Sequence, residues 1–429
     1  MNRNGLRFAF HGLSFLKSHE GNPAGVIELR ERPTRQLLVW HPDGIRWIFR
    51  PDRTIHHVPS RTLRPLLGHT SLLWAQGPRH TAYRQVLGPP LRGRQLQVYH
   101  GVISDTVHDA ISALAPRTAI SLISWVRKLT FTVISTMLLG HADDQLHRSF
   151  STHIDKVLGS RTRTLAYRYL AMHPSMTTAL QPFFKGRGEL DAMLLDMGRA
   201  STDSQPPALA TLLLKGTEPL TAIDDDELRD QIKSLLFAGH ETTASATAWT
   251  LYLLCRDEQV RHDIMSELAA TSDDGSDAAQ VPLLHAAAQE AMRLFPPAII
   301  AGKRALTTDG ELLGRPLPKG SVVTPCMYLA HRQPELFPRP HRFDPSRFLG
   351  PQFSHRYYFP FGGGVRRCLG SELAMLEVRM ITAAVLRRCE LHCVNPEAGV
   401  PELRGPALTL AHRLQMAVTP RRRPRNRPA

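Results

Sequence analysis

Apolar residues recur with helical spacing through most of this chain of 429 residues. Long amphipathic stretches predict helices over residues 124–139, 225–254 and 372–386, because apolar side chains three or four positions apart share one face of a helix. Residues 37–49 and 321–324 have patterns that favour strands instead. Together these patterns predict a mainly α protein with small β-sheets.

The chain is long enough for two or three domains, but little in it resembles a linker. Only two short loop-like stretches interrupt it, at 201–208 and 269–280. We therefore predict one large domain over residues 35–420, preceded by an N-terminal lead-in over 1–34. The last residues, 421–429, are rich in arginine and proline, and we expect them to be disordered and solvated.

The formal net charge is +15, and most of the 53 basic residues are arginine. This charge raises a nucleic-acid hypothesis, but the sequence shows no aromatic and basic binding face. We therefore expect no nucleic-acid partner. A basic surface could instead guide an acidic redox protein, since electrostatic complementarity mainly raises encounter rates.

The compartment is indicated by the cysteines and by the N-terminal apolar run. Residues 5–16 contain Arg7 and His11 and fall short of the ~20 apolar residues that cross a bilayer, so we expect no membrane anchor. No signal peptide and no CxxC pair are visible, which indicates free thiols in a reducing compartment. These features predict a soluble, cytoplasmic protein of bacterial type.

A ten-residue segment, FGGGVRRCLG at 361–370, sets one cysteine between glycines and arginines. Nearby positive charge from Arg366 and Arg367, together with backbone N–H groups at a helix start, holds a thiol in its thiolate form. The glycines allow the backbone to approach a flat macrocycle closely. This combination is what a thiolate ligand of haem iron needs.

The spacing of this segment resembles the haem-binding signature of the cytochrome P450 family. The matching positions are Phe361, Gly362, Gly364, Arg366, Cys368 and Gly370. The resemblance spans about residues 35–420 and implies haem b (iron protoporphyrin IX) as cofactor, with Cys368 as the axial metal ligand. Phe361, Gly362, Arg366 and Gly370 would then bind the cofactor. It also implies the P450 fold, with haem between a long oxygen-activating helix and the cysteine loop.

A second motif, AGHETT at 238–243, lies in the middle of the longest predicted helix. Glycine costs roughly 1 kcal/mol against alanine in a helix, and locally unfavourable sequence often marks function. The motif resembles the oxygen-activating kink of the family. The resemblance implies that Glu241 relays protons, that Thr242 hydrogen-bonds the oxygen, and that Ala238 and Gly239 adjoin the cofactor. The alternative is a helix that its threonines merely bend.

A third motif places Glu290 and Arg293 on one helical face ahead of a Pro-Pro stop. An ordinary surface ion pair is one interpretation. The motif also resembles the structural ExxR helix of the family, whose ion pair is completed by an arginine in a later PxRx segment. Arg347 supplies that arginine, so the resemblance implies a charge triad of Glu290, Arg293 and Arg347 that stabilises the fold.

The resemblance also indicates residues around the cofactor and the substrate. His80 and Arg84 share a face of a predicted helix, and with Arg304 and Arg366 they occupy positions at which the family binds the haem propionates. Any one of them could instead be a solvated surface residue. The apolar residues predicted to form walls of the substrate pocket are Leu235, Leu236, Ile299 and Ile300.

The resemblance implies a haem-thiolate monooxygenase that uses O2 to hydroxylate or epoxidise a hydrophobic small molecule in secondary metabolism. A terpenoid, polyketide or fatty-acid-like substrate would suit an apolar pocket. The sequence has no GxGxxG after a strand and no clustered cysteines for an iron–sulfur centre. Electrons would therefore come from a separate ferredoxin and ferredoxin reductase, or from a flavodoxin-type donor, to a monomeric enzyme.

Two alternatives remain open at this point. A haem-thiolate enzyme that uses peroxide or rearranges its substrate would share the cysteine but is expected to lack the acid–threonine pair. A non-enzymatic haem sensor or a basic nucleic-acid-binding protein would need a partner domain or a suitable binding face.

Overall fold

The computed structural model describes residues 2–50, 55–60, 62–115, 118–171, 173–201, 207–216, 218–271, 280–350 and 357–421. The predicted arginine-rich tail therefore lies, apart from Arg421, outside the described residues. The helices are α1 (Arg3–Phe10), α2 (Gly12–Lys17), α3 (Pro42–Phe49), α4 (Arg64–Leu67), α5 (Gly77–Leu87), α6 (His100–Ser112), α7 (Leu122–Leu139), α8 (Asp144–Leu158), α9 (Arg161–Ala171), α10 (Gln181–Phe184), α11 (Arg187–Ala200), α12 (Leu209–Leu214), α13 (Asp225–Arg256), α14 (Glu258–Ala269), α15 (Pro282–Leu294), α16 (Met327–Ala330) and α17 (Ser371–Arg388).

The strands form small sheets beside the helices. They are β1 (Val26–Arg30), β2 (Gln36–Val39), β3 (Ile55–His57), β4 (Thr118–Ser121), β5 (Arg304–Leu306), β6 (Gly310–Leu312), β7 (Arg315–Leu317), β8 (Val322–Pro325), β9 (Cys389–Cys393), β10 (Pro401–Arg404), β11 (Ala407–Leu410) and β12 (Gln415–Pro420). The largest sheet has the order β1-β2-β8-β5-β3, in which β2 and β8 run parallel. A three-stranded sheet has the order β4-β12-β9, and β6-β7 and β10-β11 are antiparallel pairs.

The core is built around α13, which packs against α7, α15 and α17. Its start follows from the sequence, because the Asp224 carboxylate caps the helix by accepting a hydrogen bond from the backbone N–H of Glu227 at 2.8 Å. The partner helix α7 is long and apolar enough to cross a membrane, but two thirds of it is buried inside the protein. The burial makes α7 an interior helix, with its apolar residues in the main hydrophobic core.

The three long predicted helices are confirmed as α7, α13 and α17, and the strand predicted at 321–324 is confirmed as β8. The strand predicted over 37–49 is correct only at β2, and the rest of it is wrong. Residues 42–49 form helix α3, with Pro42 in the first turn and the His41 side chain accepting a hydrogen bond from the N–H of Asp43. Proline suits the first turn of a helix, where its missing N–H has no partner to lose.

Candidate active site

The cysteine loop carries Cys368 to the start of α17. The backbone N–H of Cys368 donates to the Phe361 carbonyl at 2.9 Å, which closes the loop on itself. Gly362 and Gly364 have φ angles of 68° and 65°, in the left-handed region that favours glycine. The loop conformation is thus fixed by its own glycines, and the cysteine lies two residues before the N-cap position, Gly370.

The Cys368 thiol lies in the interior and yet keeps accessible surface. Since protein surrounds it, that surface adjoins an internal space and not bulk water. Burial raises the pKa of the thiol, while the N–H of Gly370 and the guanidinium groups of Arg84 and Arg367 act in the opposite direction. A bound metal cation deprotonates a coordinating thiol outright, so this accessible thiol fits an iron ligand.

The middle of α13 presents one accessible stripe among residues that are almost all buried. Leu235, Ala238, Gly239 and Thr242 keep accessible surface, while nearly all the other residues from 231 to 250 are buried. Their spacing places them on one helical face. The Thr242 hydroxyl lies on this stripe and donates to the Ala238 carbonyl at 2.7 Å.

Gly239 has a packing role as well as a place on the stripe. A Cβ at this position would lie 2.8 Å from Cγ1 of Ile134 on α7, so glycine allows the two helices to approach closely. α13 continues as an α-helix through residues 238–243 without interruption. The unfavourable helix propensity of the motif is therefore offset by close packing, and it does not break the helix.

Glu241 lies off the accessible stripe and is held by two arginines. Arg127 donates to its Oε1 at 2.6 Å through Nη2, and Arg404 donates to its Oε2. The other Nη of Arg404 donates to Asp155, whose side chain is 49% exposed against 5% for Glu241. A chain of ion pairs thus joins the buried carboxylate to the surface. Sequence reasoning missed Arg127, Arg404 and Asp155 because they are distant in sequence from Glu241 and carry no local pattern.

The two arginines control the ionisation of Glu241. Burial opposes it, but the charges of Arg127 and Arg404 outweigh that cost and hold the pKa of the carboxyl below its usual 4.5. The neighbouring His240 is neutral near pH 7, because burial lowers its pKa to about 4 despite the Glu241 carboxylate. At neutral pH, Glu241 is therefore an ionised carboxylate between two cations.

The stability that Glu241 contributes should depend on pH. Because its folded-state pKa is depressed, its ionised form stabilises the protein above the unfolded pKa, and this contribution is lost as the pH falls through the folded pKa. We expect Glu241→Gln to lower the free energy of unfolding near neutral pH, and the difference from wild type to shrink as the pH falls below 4.5. Urea unfolding at several pH values measures this. Glu311→Gln, at an exposed position, is the control, and a constant Glu241→Gln difference would contradict the prediction.

The structure brings the four predicted propionate partners together beside the cysteine loop. His80 and Arg84 lie on α5, Arg304 starts β5 and Arg366 lies in the loop. Burial and the charges of Arg366, Arg84 and Arg304 lower the pKa of His80 to about 4. Burial and the charges of Arg304 and Arg84 lower the pKa of Arg366 to about 10.

Among the described residues, no carboxylate forms an ion pair with Arg84, Arg304 or Arg366. Arg366 instead donates to the Ala75 carbonyl at 2.5 Å. Arg304 is buried and the other two arginines are half-buried, and positive charge withdrawn from water in this way is costly without an anionic partner. The cluster therefore fits a group with two carboxylates, as haem has, next to the accessible thiol.

The predicted charge triad assembles at the end of α15. Arg293 donates to Glu290 through two nitrogens, at 2.7 and 2.9 Å, and both side chains are fully buried. Arg347 adds a third contact at 3.3 Å. The Arg293 guanidinium also donates to the carbonyls of His331 and Pro340, each at 2.8 Å. The triad therefore ties α15 to the irregular segment that leads to the cysteine loop.

The four predicted pocket residues differ in their placement. Leu236 has no accessible surface and packs in the main core, and Ile299 is 5% exposed in a second core cluster. Leu235 and Ile300 keep part of their surface accessible. Of the four, Leu235 is the one that lies on the accessible stripe of α13 with Thr242.

Comparison with known proteins decides the family. The model of the cytochrome P450 family matches residues 28–417. The chain belongs to the cytochrome P450 family. The match begins within β1, inside the predicted lead-in, and that strand pairs with β2 in the five-stranded sheet. This P450 is a monooxygenase-type oxidoreductase with haem as its cofactor.

Individual relatives are similar over nearly the whole chain. Cytochrome P450 135A1 of Mycobacterium tuberculosis is 29% identical, and the match covers 95% of this chain and 91% of the relative. The cyclooctat-9-en-7-ol 5-monooxygenase of Streptomyces melanosporofaciens is 28% identical, with coverages of 89% and 85%. The solved structure of a retinoic acid bound cyanobacterial CYP120A1 superposes with a TM-score of 0.82 at 24% identity, over 95% of this chain and 94% of that one. The last comparison confirms the predicted P450 fold.

Proposed function

We propose that this P450 hydroxylates or epoxidises a largely hydrocarbon small molecule, of terpenoid, polyketide or fatty-acid-like chemistry. The observation that carries the proposal is the accessible Cys368 thiol beside three arginines that have no carboxylate partner among the described residues. The apolar residues on the accessible stripe of α13 suit a hydrophobic substrate. The relative named for cyclooctat-9-en-7-ol, an alcohol of a large hydrocarbon ring system, supports the terpenoid choice.

Each group of residues would have a distinct role. Cys368 would ligate the iron, and His80, Arg84, Arg304 and Arg366 would bind the propionates. Phe361, Gly362 and Gly370 would shape the loop beneath the cofactor, with Ala238 and Gly239 facing it from α13. Haem with a thiolate ligand supplies the electron density that favours O–O bond cleavage.

Proton supply would depend on Thr242 and Glu241. The Thr242 hydroxyl lies on the accessible stripe, and turning its hydrogen bond away from the Ala238 carbonyl would let it donate into the internal space. Glu241 would take protons from solvent on the side where the ion pairs with Arg404 and Asp155 connect it to the protein surface. Because two cations hold the carboxylate, one ion pair must open before Glu241 can carry a proton inward.

We also propose that the enzyme is a cytoplasmic monomer that takes electrons from a ferredoxin and its reductase or from a flavodoxin-type donor. The net charge of +15 supports an acidic donor, because opposite charge speeds the encounter of two proteins. The salt dependence of the electron-transfer rate tests this part. A rate that does not fall with added salt would contradict it.

Substitutions on α13 should separate proton delivery from haem binding. We expect Thr242→Ala to keep the absorption spectrum and the consumption of NADPH with surrogate redox partners, while a larger share of the electrons leaves as hydrogen peroxide. Glu241→Gln should slow turnover, because it removes the ionisable group and keeps the shape. The measurement is product formed per NADPH consumed, with a peroxide assay in parallel.

Thr243→Ala is the matched control. Thr243 is the next residue on α13, but its side chain is buried and does not lie on the accessible stripe. It should leave coupling unchanged. Unchanged coupling in Thr242→Ala and Glu241→Gln as well would show that the motif serves packing only. That outcome would favour a peroxide-using or rearranging enzyme.

A further inference from the structure

Two cysteines outside the cysteine loop meet where the end of α13 packs against β9. Cys255 is the last residue but one of α13, and Cys393 is the last residue of β9. The Cys255 thiol donates to the Leu391 carbonyl at 3.6 Å. One turn earlier on α13, the Tyr252 hydroxyl donates to the Pro396 carbonyl at 3.1 Å. The last turns of α13 therefore contact the chain on both sides of Cys393.

The hydrogen bonds of β9 show which side of the strand the Cys255 thiol occupies. Within the described residues, β9 is an edge strand of the sheet β4-β12-β9. The N–H of Val394 donates to the Gln415 carbonyl at 2.9 Å, so alternate residues from 394 backwards are hydrogen-bonded towards β12. The backbone groups of Leu391 and Cys393 therefore point to the open edge. The Cys255 thiol lies at that edge, where the N–H of Cys393 also interacts with it.

The surroundings of these two thiols differ from those of Cys326 and Cys389. Both Cys255 and Cys393 keep part of their surface accessible, while Cys326 and Cys389 are buried. Burial raises the pKa of both accessible thiols, and the Arg256 guanidinium acts in the opposite direction. At neutral pH both are therefore mainly protonated and react through a small thiolate fraction. Such a pair stays reduced at low oxidant concentration and is oxidised when that concentration rises.

We propose that Cys255 and Cys393 are an oxidation site, at which hydrogen peroxide converts two thiols into a reversible disulfide. One thiolate attacks a peroxide oxygen and the O–O bond breaks, which gives a sulfenic acid and, after proton uptake, one water. The second thiol attacks the sulfenic sulfur, the S–S bond forms and a second water leaves. In total, two thiols and one hydrogen peroxide give one disulfide and two waters. A small dithiol reverses the change by thiol–disulfide exchange.

The position of the pair suits this chemistry. A disulfide needs two Cα atoms within about 7 Å, and the contact of the Cys255 thiol with the backbone at Cys393 is compatible with that distance. The bond would join the end of α13, the helix that carries the accessible stripe, to the sheet β4-β12-β9. Disulfides of cytosolic proteins are usually transient and redox-sensing, which agrees with a pair that an oxidant can reach.

Peptide mapping of the full-length, haem-loaded protein tests the proposal. The protein is treated with hydrogen peroxide, its free thiols are blocked with a maleimide, and it is digested with trypsin and with a protease that cleaves after Glu390. That second cleavage separates Cys389 from Cys393. We expect a disulfide-linked peptide pair that contains Cys255 and Cys393, with the loss of two of the five thiols of the chain. Dithiothreitol should restore both thiols.

Single substitutions identify the members of the pair. Cys255→Ser and Cys393→Ser should each reduce the linked peptide at least tenfold, and the remaining thiol should be trapped by dimedone as a sulfenic acid. Cys389→Ser is the matched control, because Cys389 lies on the same strand but is buried, and this variant should keep the link.

The mass measurement on wild type can overturn the proposal without any variant. The pair is wrong if both thiols remain free after peroxide treatment, or if either becomes a sulfinic acid with no link formed. A link from Cys393 to a cysteine other than Cys255 would also contradict it. Because the measurement reads covalent bonds and not turnover, its outcome is independent of the substrate and of the proposed monooxygenase reaction.

Discussion

Replacing Cys368 with alanine should abolish the absorption band at roughly 450 nm that thiolate-ligated haem gives when reduced and bound to CO. The structure gives the reason, since Cys368 lies in the proposed haem-binding loop and its accessible thiol has the guanidinium groups of Arg84 and Arg367 nearby. Alanine offers no ligand atom. The loop glycines and the hydrogen bond from the backbone N–H of residue 368 to the Phe361 carbonyl remain in the variant. The measurement is the reduced CO difference spectrum of purified protein, normalised to haem content.

Another cysteine supplies the control for this experiment. Cys393 keeps part of its surface accessible but lies on β9, and Cys393→Ala should keep the full band. Persistence of the band in Cys368→Ala would overturn the ligand assignment. Loss of all bound haem in Cys368→Ala would still agree with it, provided that circular dichroism shows the helices intact.

The sequence alone predicted the elements and motifs that depend on local pattern. The long helices follow from apolar periodicity, and the Asp224 cap fixes the start of α13. The family resemblance indicated that the glycines, the arginines and the cysteine of the loop act together, and their roles stay a prediction. Residues 42–49 were predicted wrongly because a short buried segment with Ile45 and Ile48 fits either a strand or a helix, and only Pro42 favours the helix.

Features that depend on contacts between distant segments could not be predicted. Arg127 and Arg404 reach Glu241 from α7 and β10, more than a hundred residues away in each direction. His57 reaches Arg304 only because β3 and β5 pair. A single basic residue has no periodic sequence pattern around it. Its role becomes visible only when the fold places it beside a charged or polar group of another segment.

Breaking the buried pair of Glu290 and Arg293 should destabilise the protein more than any other charge substitution considered. Each partner is fully buried, so Glu290→Gln leaves the Arg293 charge unpaired, and Arg293→Met leaves Glu290 with only the longer contact to Arg347 at 3.3 Å. The expected loss is about 3–5 kcal/mol of unfolding free energy, a large part of the typical stability of a domain. The measurements are urea unfolding and haem content per protein after purification.

α14 contains a matched control with the same spacing. Glu258 and Arg261 also lie three residues apart, but their contact is 3.9 Å and Glu258 is 88% exposed. Glu258→Gln should therefore change stability by about 0–1 kcal/mol. If Glu290→Gln had as small an effect as Glu258→Gln, or lost activity at normal stability and haem content, the fold-stabilising role would be wrong.

Removing both charges together tests whether the loss comes from an unpaired charge or from missing hydrogen bonds. A Glu290→Gln and Arg293→Met double variant has no buried charge left in the pair, so it should recover part of the stability lost by either single variant. Recovery should be incomplete, because Arg293 also donates to the His331 and Pro340 carbonyls, which would lose their partner. The pair therefore stabilises the fold both as an ion pair and as the anchor of the segment before the cysteine loop, and the double variant should lose haem more readily than its stability alone would require.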